Sequence, residues 1–279
     1  MGRITDRRRI VRRRAGASSV RQDTLVVEEP LEVRVGGQSL AVTMRTPGHD
    51  FDLAAGFLVT EGVISSPDDI AVQRYCAGAQ PDSEYNIVDV TLAPGVAAPD
   101  PSVERSFYTT SSCGICGKAS LDAVRTSARW SVAEDAVTIP DSVVAELPDL
   151  LRARQAVFER TGGLHAAGLF SSEGELMALR EDVGRHNAVD KVIGWALKSG
   201  LLPLRGHVLQ VSGRASFELT QKALMAGIPV LSAVSAPSSL AVDLAAEAGM
   251  TLAGFVRGDS MNVYTGTHRI AESVAEVAG

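Results

Sequence analysis

The sequence predicts an α/β protein: a layered α/β/α sheet in the C-terminal half, mostly parallel in its later part, with a β-rich subdomain ahead of it. Three observations predict this. From residue 164 onward, short apolar runs alternate with helical stretches in β-α order, as expected of a sheet covered by helices. Earlier in the chain, several segments alternate apolar and polar residues with period two, the pattern of half-buried strands. Finally, 279 residues with 45% hydrophobic side chains suffice for one large domain or two intimate ones. The expected division is a flexible, arginine-rich extension over 1–22, a β-rich subdomain over 23–140 and an α/β subdomain over 141–279.

Taken in order, residues 31–35 and 40–44 alternate around Gly36-Gly37, a hairpin signature. A helix follows from Asp50, its start marked by Pro47, Gly48 and Asp50. Phe51, Leu53, Ala54, Phe57 and Leu58 form its buried stripe, and it stops near Gly62. Strands are predicted over 70–75 and 87–92, then a Pro-rich loop over 93–105. A long helix over 141–160, kinked or broken at Pro148, ends at Gly162-Gly163, where glycine supplies the left-handed cap. Beyond it come strands over 164–170 and 175–179, a helix over 185–198, a strand over 207–211, a helix over 217–225, a strand over 230–234, a helix over 239–248 and a strand over 251–256. No internal repeat or low-complexity tract interrupts this order.

Charge is distributed unevenly. The first 21 residues carry eight arginines and one aspartate, leaving 19 basic and 32 acidic residues beyond them, a body near −13. Such a body lacks the basic face that phosphate neutralisation requires, so nucleic acid is not an expected partner. The run from Arg7 to Arg14 is followed by no apolar stretch or small-residue cleavage site, which distinguishes it from a targeting signal. It reads as a disordered, solvated extension, with contact to an acidic partner or RNA as the alternative. No run approaches the ~20 apolar residues that span a bilayer, so the expectation is a soluble, cytoplasmic protein with no membrane association.

The chain has three cysteines, and two of them form a glycine-padded Cys-x-x-Cys loop, Cys113-Gly114-Ile115-Cys116-Gly117. Glycine removes bulk and allows positive φ, so the sulfurs stay open to a large partner. The polar lead-in from Thr109 to Ser112 argues for exposure, and a short helix starting at Lys118 would favour thiolate over thiol. Isolated Cys76 reads as a packed small hydrophobe. Three cysteines make no disulfide framework, which suits a reducing compartment. A zinc deaminase site would need a His-x-Glu element and a later Pro-Cys-x-x-Cys. Here Ala167 stands two after His165, and both loop cysteines precede that histidine without a proline. A structural zinc would need Cys76 or a histidine to complete four ligands, and no metal is expected.

Ligands of α/β sheets sit beyond the carboxyl ends of strands, where loops enter helix N-termini. Three loops qualify. Ser212-Gly213-Arg214 offers amides, a hydroxyl and a guanidinium to an anion, or is a plain strand-helix turn. Ser235 to Ser239 is polar and rigid. Phe255, Val256, Arg257, Gly258, Asp259 and Ser260 place an arginine and an aspartate beside a glycine, where Asp could accept the paired donors of a guanine edge and Arg could hold phosphate. A surface turn with an ion pair explains the same letters. The dense run Arg180, Asp182, Arg185, His186, Asn187 is either a ligand site or a capping network. His165, on an apolar strand, reads most simply as a satisfied core histidine.

As a set, these residues resemble the FdhD/NarQ family of formate dehydrogenase accessory sulfurtransferases. The resemblance rests on RTPGHDFDLAAGFLVTEGVI from 45, CGICGKAS from 113, TGGLHAAGLF from 161, REDVGRHNAVDKVIGWAL from 180, the long stretch VSGRASFELTQKALMAGIPVLSAVSAPSSLAVDLA from 211 and GFVRGDSMNVYT from 254. It runs from about 24 to 270. It implies a cytoplasmic homodimer with a cytidine deaminase-like fold that takes sulfur from a cysteine desulfurase. The sulfur would pass as a persulfide to the bis(molybdopterin guanine dinucleotide) molybdenum cofactor required by formate dehydrogenase. By this resemblance Cys113 is the persulfide carrier, Cys116 its partner or alternate, and residues 255–260 the cofactor-binding segment. The roles of Arg180, Asp182, His186 and Arg214 stay open between cofactor and scaffold. A molybdenum-cofactor-binding chaperone without sulfur transfer is the alternative function. A dithiol-disulfide oxidoreductase fits less well, because Ser112 precedes Cys113 where thioredoxin-type motifs carry an aromatic.

Overall fold

Alternation in the N-terminal half produces strands where the sequence places them. In the computed structural model, which describes residues 3–76, 85–99 and 128–272, β3 (Glu29–Val35) and β4 (Gln38–Arg45) pair antiparallel. Gly36 and Gly37 both take positive φ at their turn, as a two-residue hairpin requires. β5 (Ile70–Tyr75) and β6 (Ile87–Leu92) complete a four-stranded sheet of order β4-β3-β6-β5. Leu31, Val33, Val88 and Val90 point from it into the core. That face is covered by α1 (Asp50–Thr60), which is buried on nearly every side.

The arginine-rich segment differs from the expected disordered extension. β1 (Thr5–Arg14) and β2 (Ala17–Val26) form a ribbon in unbroken register from Thr5↔Val26 to Arg14↔Ala17. Ala15 and Gly16, both at positive φ, close it. Reading the segment as a charge run overlooks Ile10, Val11, Thr24 and Val20, whose branched side chains favour extended backbone.

The C-terminal half contains β8 (His165–Phe170), β9 (Leu176–Asp182), β10 (Val208–Val211), β11 (Val230–Ala233), β12 (Thr251–Arg257) and β13 (Ser260–Thr265). They form one sheet of order β13-β12-β11-β10-β8-β9. Only β10, β11 and β12 run parallel; β8 is antiparallel to β10 and β9, and β13 turns back on β12. The strands' period of two divides the core. Ala166, Phe170, Val208, Val230, Ala253 and Val256 face α2 (Asp141–Ala153) with Val144, Leu147 and Leu151. Ala167, Leu169, Leu209, Val211, Leu231 and Leu252 face the layer made by α4 (Arg185–Lys198), α5 (Phe217–Met225) and α6 (Ser239–Glu247). This is the α/β/α layering. A short pair, β7 (Ile139–Pro140) with β14 (Ile270–Ala271), flanks α2.

The predicted 141–160 helix is two helices, and the break falls elsewhere than expected. α2 runs through Pro148 and ends at Ala153; α3 (Ala156–Thr161) follows. The Glu181 carboxylate causes the restart, accepting from the amides of Val157 (3.0 Å) and Phe158 (2.7 Å) at the start of α3. Gly162 then caps α3 in the left-handed conformation, as the sequence indicates.

A close helix crossing helps join the two halves. α1 and α4 cross at Gly56 and Gly194 so closely that a Cβ on Gly56 would fall 1.8 Å from the Asp190 carbonyl oxygen, and one on Gly194 1.9 Å from that of Asp52. The larger core cluster is continuous across both halves.

Candidate functional site

The three loops singled out in the sequence lie side by side at the carboxyl edge of the parallel strands. The Val234 amide donates to the Val211 carbonyl, Ser238 to Ala215, and Phe255 to Ser235. A parallel bridge between Ala215 and Pro237 carries the β10-β11 pairing into the loops. The Ser216 hydroxyl accepts from the Leu219 amide and Ser238 from Ala241, so the N-termini of α5 and α6 are capped at this edge. Because β8 is antiparallel to β10, its first residue reaches the same edge. Ser212 exchanges two hydrogen bonds with Ala166, its amide donating to the Ala166 carbonyl and its hydroxyl accepting from the Ala166 amide at 2.8 Å. His165 lies against Gly213, where a Cβ would come within 3.4 Å of Nδ1.

His165 is half-buried at the start of its strand instead of lying in the core. Burial, then the charges of Arg185 and His186, push its pKa down, which favours the neutral ring. His186 stands 3.3 Å from the Glu218 carboxylate and holds that acid to about 2, against some opposing burial. The sequence reading missed Glu218, which follows the N-cap of α5 and had only its place at a helix start to mark it. Arg214 and Arg257 are exposed on the rim.

Asp182 and Arg180 are held inside. Asp182 is fully buried; one oxygen meets Lys191 Nζ at 2.6 Å and the Thr46 amide at 3.2 Å, the other the Gly184 amide at 2.8 Å and Asn187 Nδ2 at 3.0 Å. These partners occupy its lone pairs, and it anchors the turn that starts α4. Arg180 donates to the Leu179 carbonyl and to Asp52. The RTPGHD segment, which the sequence marks as the start of a helix, is tied into the same framework. Arg45, fully buried, pairs with Asp50 and Glu29 and donates to the Tyr85 carbonyl. His49 takes φ +57 at the start of α1.

Burial works against ionisation of Asp52, yet His49, Lys198 and Arg180 together hold its carboxyl well below its ordinary 3.8. A carboxyl that titrates lower in the fold than in the open chain adds stability above the open-chain value and loses it as pH falls below. Urea midpoints between pH 5 and pH 3 should therefore fall in the wild type and fall less steeply in Asp52→Asn, with the variant the less stable at pH 7. Parallel slopes would show that the cluster contributes nothing to acid sensitivity.

The 255–260 segment is the turn and flanking strand ends between β12 and β13. The sequence reading left 260–265 outside any strand, although Met261, Val263 and Thr265 alternate there. A bulge falls between Gly254 and Arg257, and within it Phe255 takes φ +54 and is 39% exposed. A bulky residue adopts the left-handed region only at a cost of about 1–2 kcal/mol. The bond to Ser235 helps fix it there. Val256 is buried in the core, whereas Arg257, Gly258, Asp259 and Ser260 are exposed, and the Ser260 hydroxyl donates to the Arg257 carbonyl at 3.3 Å. Cys113, Cys116 and the helix expected from Lys118 lie outside the described residues. Cys76 directly follows β5, half-buried, its amide donating to the Ile87 carbonyl.

A family model described as FdhD/NarQ matches residues 26–271. The chain belongs to the FdhD/NarQ family. It is 65% identical to the sulfur carrier protein FdhD of Streptomyces avermitilis, with 100% of both chains covered. It is 58% identical to the sulfur carrier protein FdhD of Mycobacterium tuberculosis, covering 97% of this chain and 100% of that one. A crystal structure assigned as a formate dehydrogenase accessory protein of Desulfotalea psychrophila superposes with a TM-score of 0.75 at 23% identity, over 96% of this chain and 100% of that chain. At that identity the match speaks for the fold. Among the described residues, no helix is long and apolar enough to cross a membrane.

Proposed function

We propose that this FdhD/NarQ protein is a sulfur carrier that serves formate dehydrogenase. The observation that carries this reading is 65% identity, over the whole of both chains, to a sulfur carrier protein. In the finer reading, the Cys113 thiolate attacks the outer sulfur of a cysteine desulfurase persulfide. The donor's S–S bond breaks, its own thiolate leaves, and Cys113 carries the new persulfide with no net change in oxidation state. Attack by the Cys116 thiolate on the inner sulfur then releases hydrosulfide and leaves a Cys113-Cys116 disulfide, which a dithiol reductant must reopen.

The acceptor in this reading is the bis(molybdopterin guanine dinucleotide) molybdenum cofactor, bound as substrate at the carboxyl edge of the sheet. Capped helix N-termini, Arg214 and Arg257 suit phosphate, the exposed Phe255 ring suits stacking on a base, and Asp259 suits guanine donors. The same reading makes the protein a cytoplasmic homodimer with a subdomain boundary near residue 140. The test is intact mass after incubation with a cysteine desulfurase and L-cysteine. A gain of about 32 Da, one sulfur, that a thiol reductant removes is the expected result. No gain, with guanine nucleotide still bound, would favour the cofactor chaperone.

A further inference from the structure

The arginine ribbon has no role in the sulfur-carrier reading, and the family match begins only at Val26, its last residue. Its base is held on the body: Val26 packs beside Gly163, Ile4 beside Gly48, and the Val27 amide donates to the Ile4 carbonyl at 2.9 Å. From there β1 and β2 extend for about 30 Å at the usual rise per residue. Every residue from Arg7 to Asp23 is exposed except the half-buried Ile10, so both faces of the ribbon meet solvent.

Both faces are also cationic. Alternation puts Arg7, Arg9 and Arg13 on one, opposite Thr24, Gln22 and Ser18, and Arg8, Arg12, Arg14 and Arg21 on the other. The two acids, Asp6 and Asp23, lie near the base, where Arg8 pairs with Asp6 at 2.7 Å. From Arg9 to Gln22 there are five arginines, no acid and no aromatic ring. At the centre of the first face Val11 and Val20 lie opposite each other, 62% and 55% exposed.

The acidic body weighs against nucleic acid, but the fold holds the ribbon apart from it. Outside β1, β2 and their turn the chain carries 20 basic and 31 acidic side chains, a net of −11. Arg12, Arg13 and Arg14 stand about 25 Å beyond the base at the usual rise. That is roughly three Debye lengths at physiological salt, so the charge of the body is largely screened from them. What remains is a narrow rod with positive charge on both sides. A lipid bilayer or a flat acidic protein surface would neutralise one face and leave the other in water. A groove with anionic walls neutralises both, and the major groove of B-DNA, about 12 Å wide, admits a two-stranded ribbon. Single strands are held largely by stacking on aromatic rings, which the ribbon lacks. The major groove of duplex RNA is too deep and narrow for side chains to reach its floor. The valine pair matches the apolar contact that thymine methyl groups offer in the B-DNA groove. We propose that the ribbon lies in the major groove of duplex DNA with its arginines on the phosphates of both strands. Its affinity comes from phosphate contacts and is therefore largely independent of sequence.

Fluorescence anisotropy of a labelled DNA duplex of mixed sequence, titrated with the full-length protein, tests this. Five phosphate contacts, one for each arginine from Arg9 to Arg21, give a slope of about −4.5 for log affinity against log salt. Affinity should therefore fall roughly 500-fold between about 50 mM and 200 mM salt. One double variant, Arg9→Gln with Arg13→Gln, removes two contacts from the first face; another, Arg12→Gln with Arg14→Gln, removes two from the second. Each should flatten the slope by roughly 2, with an unchanged circular dichroism spectrum and unchanged sulfur loading. A small molecule that fills the major groove should displace the protein, and one that fills the minor groove should not. No binding at the lower salt, a slope near zero, a loss confined to one of the two double variants, or displacement by the minor-groove molecule alone would overturn the proposal. So would binding as tight or tighter to single-stranded DNA, to an RNA duplex or to phosphatidylglycerol vesicles. The readout is DNA binding, so failure here leaves the sulfur-carrier reading standing.

Discussion

Cys113→Ala is expected to abolish sulfur loading and the activation of formate dehydrogenase, while Cys116→Ala keeps loading and loses turnover. The difference follows from the order of the two exchange steps. Only the thiolate that attacks the donor acquires the new sulfur, so without it the mass gain should fall by at least about 100-fold, since the thiolate is the nucleophile in each exchange. The second thiolate acts on a persulfide already formed. In Cys116→Ala the loaded species should accumulate and discharge slowly, unless an external thiol replaces the missing one. Thermal midpoints of both variants, measured beside the mass, separate a loss of chemistry from a loss of fold, and are expected to stay close to wild type. Intact mass, read beside formate dehydrogenase activity in a strain lacking its own copy, separates the possibilities. Loading in Cys113→Ala with none in Cys116→Ala would exchange the roles; loading in both would move the chemistry away from this loop.

The elements that sequence made legible are those in which local pattern and final environment agree. Gly36-Gly37 flanked by alternating strands, and the β-α order after residue 164, need only period and turn chemistry. That the three loops lie side by side was legible for the same reason: a sheet's carboxyl edge follows from the order of its strands. What escaped depends on partners distant in sequence. The break after Ala153 is set by Glu181, the enclosure of Asp182 by Thr46, and the burial of Arg45 by Tyr85 and Asn86. None of these pairings leaves a local pattern. The ribbon escaped for another reason, because eight arginines in 21 residues outweigh a strand pattern spread thinly among them.

Gly56→Ala should destabilise the protein by about 3 kcal/mol or more, and the sign alone makes the test decisive. In an ordinary helix interior the same change stabilises by roughly 0.5–1 kcal/mol, because alanine has less backbone entropy to lose. Here the new methyl would fall 1.8 Å from the Asp190 oxygen, 2.6 Å from its carbonyl carbon and 2.8 Å from the Gly194 nitrogen. All three are backbone atoms of α4, so no side chain can swing aside. The helices must part, at the upper end of the usual overpacking cost or beyond it. Parting also strains the polar cluster on the same turn, where Lys222 Nζ meets both Asp190 oxygens at 2.8 Å and the Thr60 hydroxyl at 3.0 Å. Weakening a buried pair without replacing it adds to the loss. Function should follow stability, because α4 begins with Arg185, His186 and Asn187 at the carboxyl edge, and its position against α1 is set by this glycine contact. Chemical denaturation gives the stability change directly. A neutral or more stable Gly56→Ala would mean that the helices do not approach as closely as the backbone indicates, and that the edge of the site is held by the sheet alone.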